Sequence, residues 1–457
     1  MPESPFSFLR SLSKRILHNP LMQRIIRNTG YLFSAQTISA AMSMAQGVLA
    51  ARLLGVEGAG FVGIITQFSS NINRLTSFRM GELVISYVGE FSANGRRRHA
   101  AAVFKAAMLT EIASSLLAFA VLVSLAPLGA RIFAHDPSLA GLFTFYGISV
   151  LANLMYESGN GLLQYFNQFR MIAFITVGQS VLTLLLIVGA FLTRGGLDMV
   201  VFAYLVGKVI LALSISGAAL WQARVVWGAG WWRVSLTVLS DRRSDLIRFA
   251  INTNLSGTLK LITRDSEMLW LGAFSTPVQV GYYKIAKAIT NILMMPVTPL
   301  ITTIYREVAH EVGSRHWPNV RYLLRSGSIL SAAWTLPASI GLILFGQWVV
   351  AIYGLEFLPT SYINLLILLI GVIVINVLFW NRSILLLLGM PEYPTKVLFV
   401  GAIFKVIGTV LLVPHWGANG MAVLLTGFFL FTTGVLVWKT LREIRNAEFA
   451  PAISTGD

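Results

Sequence analysis

Ala51-Arg52-Leu53-Leu54-Gly55-Val56-Glu57-Gly58-Ala59-Gly60-Phe61 is the stretch that decides the fold. Apolar runs flank it, near 29 to 51 and 59 to 80, each long enough to supply the roughly 20 residues that cross a hydrocarbon core of about 30 Å. Between them the glycines permit a tight reversal, and the chain restarts on Gly60-Phe61. The stretch reads as the turn of a membrane hairpin.

Runs of the same kind recur near 103 to 127, 139 to 165, 171 to 192, 199 to 221, 249 to 273, 280 to 304, 326 to 346, 361 to 388, 396 to 413 and 419 to 438. The 457 residues are 56% hydrophobic and only 12% charged, with a mean hydropathy of +0.72. A soluble domain carries about 25% charged residues, so the polar surface that water requires is missing. The pattern predicts an all-α polytopic membrane protein of about twelve transmembrane helices.

The opening turn has a counterpart after the seventh run, where Leu271-Gly272-Ala273-Phe274-Ser275-Thr276-Pro277-Val278-Gln279-Val280-Gly281-Tyr282 also turns through glycine and restarts on Gly-aromatic. Gly195-Gly196-Leu197-Asp198-Met199-Val200-Val201, between the fifth and sixth runs, matches Gly417-Ala418-Asn419-Gly420-Met421-Ala422-Val423, between the eleventh and twelfth. Pro127-Leu128-Gly129 after the third matches Phe345-Gly346 after the ninth. All three offsets are about 220 residues. Two pseudo-symmetric six-helix lobes of like orientation follow, and the cleft between them is the expected substrate site.

Lys and Arg orient the array. With the amino terminus inside, 23 of the 35 fall in inner tails and loops, 3 (Arg52, Arg131 and Arg194) in outer loops, and 9 within spans. This asymmetry predicts a multi-pass protein with both termini cytoplasmic. The expected organisation is an amphipathic basic segment over 1–28, with Phe8, Leu9, Leu12 and Ile16 on one helical face. An N-lobe over 29–221 comes next, then a cytoplasmic linker over 222–248 whose Trp227, Trp231 and Trp232 would seat in the headgroup layer. A C-lobe over 249–438 and a cytoplasmic tail over 439–457 complete it.

An ionisable side chain at the bilayer centre costs about 2.5–3.5 kcal/mol or more, so it is expected to face a cavity or a partner. In the seventh run Asn252, Ser256, Lys260 and Arg264 recur every fourth residue and form one polar stripe, with Glu267 one turn beyond. Lys284, Lys287 and Asn291 share a face of the eighth, and Arg74 lies within the second. An excess of buried cations suits a phosphate or diphosphate, which Lys and Arg bind by charge-assisted hydrogen bonds. The alternative reading is that such charges, Arg264 with Glu267, Arg79 with Glu82 or Asp265 with any nearby Lys, pair to hold helices together. Glu111, in mid-span, is a candidate proton carrier beside Asp265 and Glu267, or else a hydrogen-bonded structural carboxylate.

The net charge of +16 does not point to nucleic acid, because the basic residues lie between apolar spans rather than on a soluble face. Cysteine is absent, which removes disulfides, Cys-ligated zinc and thiol catalysis. There is no P-loop or HExxH pattern, and the six His are not spaced as metal ligands. The expectation is a transporter rather than an enzyme, without metal or cofactor.

The chain resembles the polysaccharide repeat-unit (O-antigen, Wzx-type) flippases of the multidrug, oligosaccharidyl-lipid and polysaccharide exporter superfamily. The resemblance rests on Ala51 to Phe61, on Met80-Gly81-Glu82-Leu83-Val84-Ile85-Ser86-Tyr87-Val88-Gly89-Glu90, on Tyr353-Gly354-Leu355-Glu356-Phe357 and on the Gly417 to Val423 turn. It implies a MATE-like fold of two lobes around a central cavity. It further implies an undecaprenyl-diphosphate-linked oligosaccharide as substrate, flipped across the bacterial inner membrane by alternating access, with membrane lipids, a polysaccharide polymerase and a chain-length regulator as partners. Lys260, Arg264, Lys284 and Lys287 would hold the diphosphate. The alternative within the superfamily is a cation-coupled multidrug or small-solute antiporter, for which an acidic cavity is expected.

Overall fold

The computed structural model describes residues 20–449 except 79, 262–264 and 391, with side chains from residue 34 onward apart from several within 252–260 and 299–310. The described residues are nearly all helical. The segment over 1–28 lies outside them up to residue 19.

Eight helices are long and apolar enough to cross a bilayer among the described residues. Two of them, Ser34–Thr76 and Glu392–Glu448, have 43 and 57 residues, about 65 and 86 Å at 1.5 Å per residue, more than twice the apolar core. Each must therefore double back, and each does so at one glycine: Gly55 (φ 68°) in α1, Pro20–Thr76, and Gly417 (φ 53°) in the last helix. Positive φ is open to glycine without the Cβ penalty. Eight helices thus hold ten of the expected spans. The seventh and eighth are built of shorter pieces.

The chain divides into two compact units, Met1–Ala273 and Phe274–Asp457. In the first, α1 ends at Thr76 and is followed by a composite helix of Gly81–Leu83, a π-turn Val84–Val88 and Gly89–Ala93. Then come α2 (Arg97–Gly129), α3 (Ala140–Ala152), α4 (Tyr156–Tyr165), α5 (Phe169–Leu192) and α6 (Leu197–Trp227). Short 3-10 turns Trp231–Arg233 and Leu236–Arg242 lead to α7 (Arg243–Lys260) and α8 (Glu267–Phe274). The second unit holds α9 (Pro277–Met294), α10 (Thr298–Gly313), α11 (Trp317–Ala351), α12 (Thr360–Val377), α13 (Ser383–Leu387) and α14 (Glu392–Phe449).

Four details differ from the expected organisation. The unit boundary falls after Ala273, one span later than 249. The cause is a set of bonds from the seventh span into the first unit: Asn71 Nδ2 donates to Ser266 Oγ at 3.1 Å, and His135 Nε2 lies 2.8 Å from the Gly272 carbonyl. Pro127-Leu128-Gly129 and Phe345-Gly346 do not follow their spans but lie inside α2 and α11. Their glycines serve close packing, since a Cβ at Gly129 would stand 2.6 Å from the Phe68 ring and one at Gly346 2.9 Å from the Tyr362 ring. The fourth span is two helices, α3 and α4, separated at residues 153–155, and the tenth is likewise interrupted between α12 and α13. Of the linker tryptophans, Trp227 and Trp231 turn inward onto Phe104 (ring centroids 6.0 and 5.4 Å), because the first has an apolar helix face to cover; Trp232 stays exposed.

Candidate functional site

Within the apolar body of α1, Thr66-Gln67-Phe68-Ser69-Ser70-Asn71-Ile72-Asn73-Arg74 is a polar run. Helical spacing sorts it into two faces. Gln67, Asn71 and Arg74 meet the start of α8: Arg74 forms an ion pair with Asp265, Gln67 donates to the Asp265 carbonyl and, at 2.7 Å, to Asn71 Oδ1. Ser266 Oγ in turn donates to the Leu261 carbonyl at 2.8 Å. This face is a structural anchor that ties the interrupted seventh span to the second.

The other face, Thr66, Ser69, Ser70 and Asn73 with the flank of Gln67, lines a cavity of about 290 Å³ together with Tyr146, Ser149 and Val150 of α3, Asn153 at the break of the fourth span, and Lys208 of α6. Lys208 is the one charged residue among the described residues of that lining. Eleven residues into α6, it stands about 17 Å from the helix start, near mid-bilayer. Gly207 beside it lets α6 press onto α5, since a Cβ there would lie 2.1 Å from Thr183 Oγ1. Lys208 is exposed to the cavity and within electrostatic range of Arg74. Ser69, at 1% exposure, leaves its hydroxyl without a hydrogen-bond partner among the described residues, and so does the side-chain Oδ1 of Asn73. Buried polar groups are normally paired. A cation from α6 together with an orphaned hydroxyl and an orphaned amide oxygen from α1 can take a ligand bearing both negative charge and hydroxyl groups.

The residues expected from sequence are distributed as follows. Arg74 and Asp265 are brought together, but as a pair with each other. Glu267 is buried in the first turn of α8, where the helix dipole favours a carboxylate. Glu111 is buried on α2 and accepts from the backbone N–H groups of Glu157 (2.8 Å) and Ser158 (2.9 Å), capping the restart of the fourth span at α4. Lys284 and Lys287 are half-buried on α9, with Lys287 Nζ 5.9 Å from the centre of the Tyr283 ring, and Asn291 is exposed. The side chains of Asn252, Ser256 and Lys260, and the whole of Arg264, lie outside the described residues. The unit boundary runs between the seventh and eighth spans, so neither unit by itself assembles the expected cation cluster.

Sequence reasoning passed over Lys208 as a site residue because α6 shows no polar periodicity around it. The signal that could have found it is the polar face of the second span, four spans earlier in sequence.

The family model described as polysaccharide biosynthesis protein matches residues 25–305, more than half of the chain. No curated protein sequence matches it. Among solved structures, a multidrug resistance MATE family transporter of the MOP superfamily, in an inward-facing conformation, aligns with a TM-score of 0.70 at 15% identity, over 91% of this chain and 96% of its own. The lipid II flippase MurJ, in an inward closed conformation, gives 0.66 at 14%, over 91% and 90%. A MOP superfamily transporter from Pyrococcus furiosus Vc1 (DSM3638), described by the reverse polarity of its binding pocket, gives 0.64 at 14%, over 95% and 98%. At such identities the likeness shows the fold, a MATE-like polytopic one. The family match adds the kind of protein: this chain belongs to the polysaccharide biosynthesis protein family.

Proposed function

We propose that the protein flips an undecaprenyl-diphosphate-linked oligosaccharide, the repeat unit of a cell-surface polysaccharide such as O-antigen, from the inner to the outer leaflet of the bacterial inner membrane. Both termini are cytoplasmic in this reading, on the basis of the Lys and Arg asymmetry. The observation that carries it is the sign of the cavity in the first unit. Among the described residues its lining holds Lys208 and no carboxylate, which favours an anionic headgroup and disfavours a cationic drug. The orphaned Ser69 hydroxyl and Asn73 oxygen suit phosphate oxygens and sugar hydroxyls. Lys284 and Lys287 are read as headgroup-recognising cations of the second unit. Hand-over of the flipped unit would fall to a polymerase and its chain-length regulator.

The test is complementation of a strain lacking this gene, scored by surface polymer. Lys208→Ala is expected to abolish polymer and Lys208→Arg to retain part of it. Wild-type polymer from both Lys208→Ala and Lys208→Glu would overturn the assignment of this cavity. A cation-coupled multidrug or small-solute antiporter would instead change drug sensitivity and leave the glycan untouched.

A further inference from the structure

A second cavity of the first unit, about 880 Å³, is a groove walled by α2, the 3-10 turn Leu236–Arg242 and the first half of α7. This is within the roughly 300–1,000 Å³ of ligand sites. Its floor is buried and apolar (Leu83, Val103, Ala107, Leu239 and Ala250), while Leu109, Ile247 and Ile251 stand exposed along its margin. The groove therefore opens sideways. Its hydroxyls are turned to internal partners: Thr110 Oγ1 donates to the Ala106 carbonyl at 2.9 Å, and Ser240 Oγ to Asp241 at 3.0 Å.

The groove has a polar, basic end and an apolar one. At one end lie Thr237, Ser240 and Arg243, a few residues along the chain from Trp232 with Arg233 stacked on its ring at 5.1 Å, an aromatic and basic pair of the kind that marks the headgroup layer. From Arg243 the α7 wall descends about 12 Å to Ile251. On the opposite wall the deep end is Leu109, Thr110 and Phe78, whose backbone N–H bonds Ser114 a turn below. Arg242 is committed to Glu90 (2.9 Å) and Asp245 (3.1 Å). Arg243, by contrast, is exposed and has no ion-pair partner among the described residues.

An apolar slot that opens laterally, runs inward from the headgroup layer and carries one unneutralised guanidinium at its outer end is complementary to a single-chain lipid with a phosphate head. We propose that this groove holds the prenyl chain of a polyprenyl diphosphate substrate, with Arg243 on the phosphate. The choice of a prenyl lipid rests on the function proposed above; the shape and charge of the groove do not. Seating the chain here leaves the saccharide as the only part of the cargo that must find a polar path.

The experiment is photolabelling of the full chain in phosphatidylethanolamine–phosphatidylglycerol nanodiscs with a benzophenone-bearing polyprenyl diphosphate, mapped by peptide mass spectrometry. Label is expected on peptides covering 103–110 and 236–251. It should be competed by undecaprenyl phosphate but not by excess phosphatidylglycerol. It should fall about tenfold, the equivalent of ~1.4 kcal/mol, when the groove is filled by Ala106→Phe or Thr110→Trp, and fall also with Arg243→Glu. Two different filling variants, each checked by size-exclusion in detergent, separate occlusion from misfolding. Equal competition by phosphatidylglycerol overturns the proposal in favour of bulk lipid. Competable label elsewhere overturns the groove alone and leaves the functional reading standing. No competable label anywhere overturns that reading as well.

Discussion

Glu111 and Ser331 sit 220 residues apart, at matching places on the third helix of each half, and each serves an interrupted neighbour. In the first unit the fourth span restarts at α4, and the Glu111 carboxylate accepts the two N–H groups exposed there. In the second unit the corresponding tenth span ends its first piece at α12, and the Ser331 hydroxyl donates to the Asn376 carbonyl at 2.7 Å. Asn376 Nδ2 passes the network on to the Leu293 carbonyl (3.3 Å), which Trp334 Nε1 also reaches (3.2 Å). The second and eighth spans are broken too, after Thr76 and at Met295–Val297. The breaks repeat while their chemistry inverts. A carboxylate only accepts and a hydroxyl can donate, so one half satisfies orphaned N–H groups and the other orphaned carbonyls. Unsatisfied backbone is not tolerated at membrane depth.

The comparison breaks most visibly at Glu111. Glu111→Ala leaves two buried N–H groups without an acceptor, an expected loss of roughly 2–6 kcal/mol, read as a lower thermal midpoint in detergent; Glu111→Gln, which keeps one acceptor, should lose clearly less. Equal loss for both would mean that the charge rather than the capping matters. Next is Gly161→Ala, whose Cβ would meet the Gly81 carbonyl oxygen at 2.5 Å and wedge the broken second span off the fourth, at about 1–3 kcal/mol. Ser331→Ala removes one neutral bond and is expected to cost about 1 kcal/mol. A loss as large as that of Glu111→Ala would show that the halves are not inverted in the way described. Smallest is the Arg74–Asp265 pair, about two-fifths exposed on each side, for which a double-mutant cycle should return a coupling of about 1 kcal/mol or less.

Much of the fold was legible because hydrophobicity is a property of each residue and adds along the chain. The apolar runs located ten spans that the long helices hold, and the Gly55 and Gly417 reversals were readable because glycine alone reaches those φ values cheaply. Interruptions within spans were not legible: Asn153-Leu154-Met155 has one polar residue, as its surroundings do, and Asn381 and Arg382 after Val377 read as the polar inner end of an apolar run. They persist because a side chain from another helix satisfies the opened backbone.

The candidate site divides along the same line. By itself the sequence determined that buried cations exist and that acids are few, since both are counts. Which charge is committed and which remains available was decided only by tertiary structure. Arg74 meets Asp265 across 191 residues of chain, whereas Lys208 faces a cavity built from α1, α3 and α6. Pairing depends on distance in space, and no periodicity within a single helix encodes it.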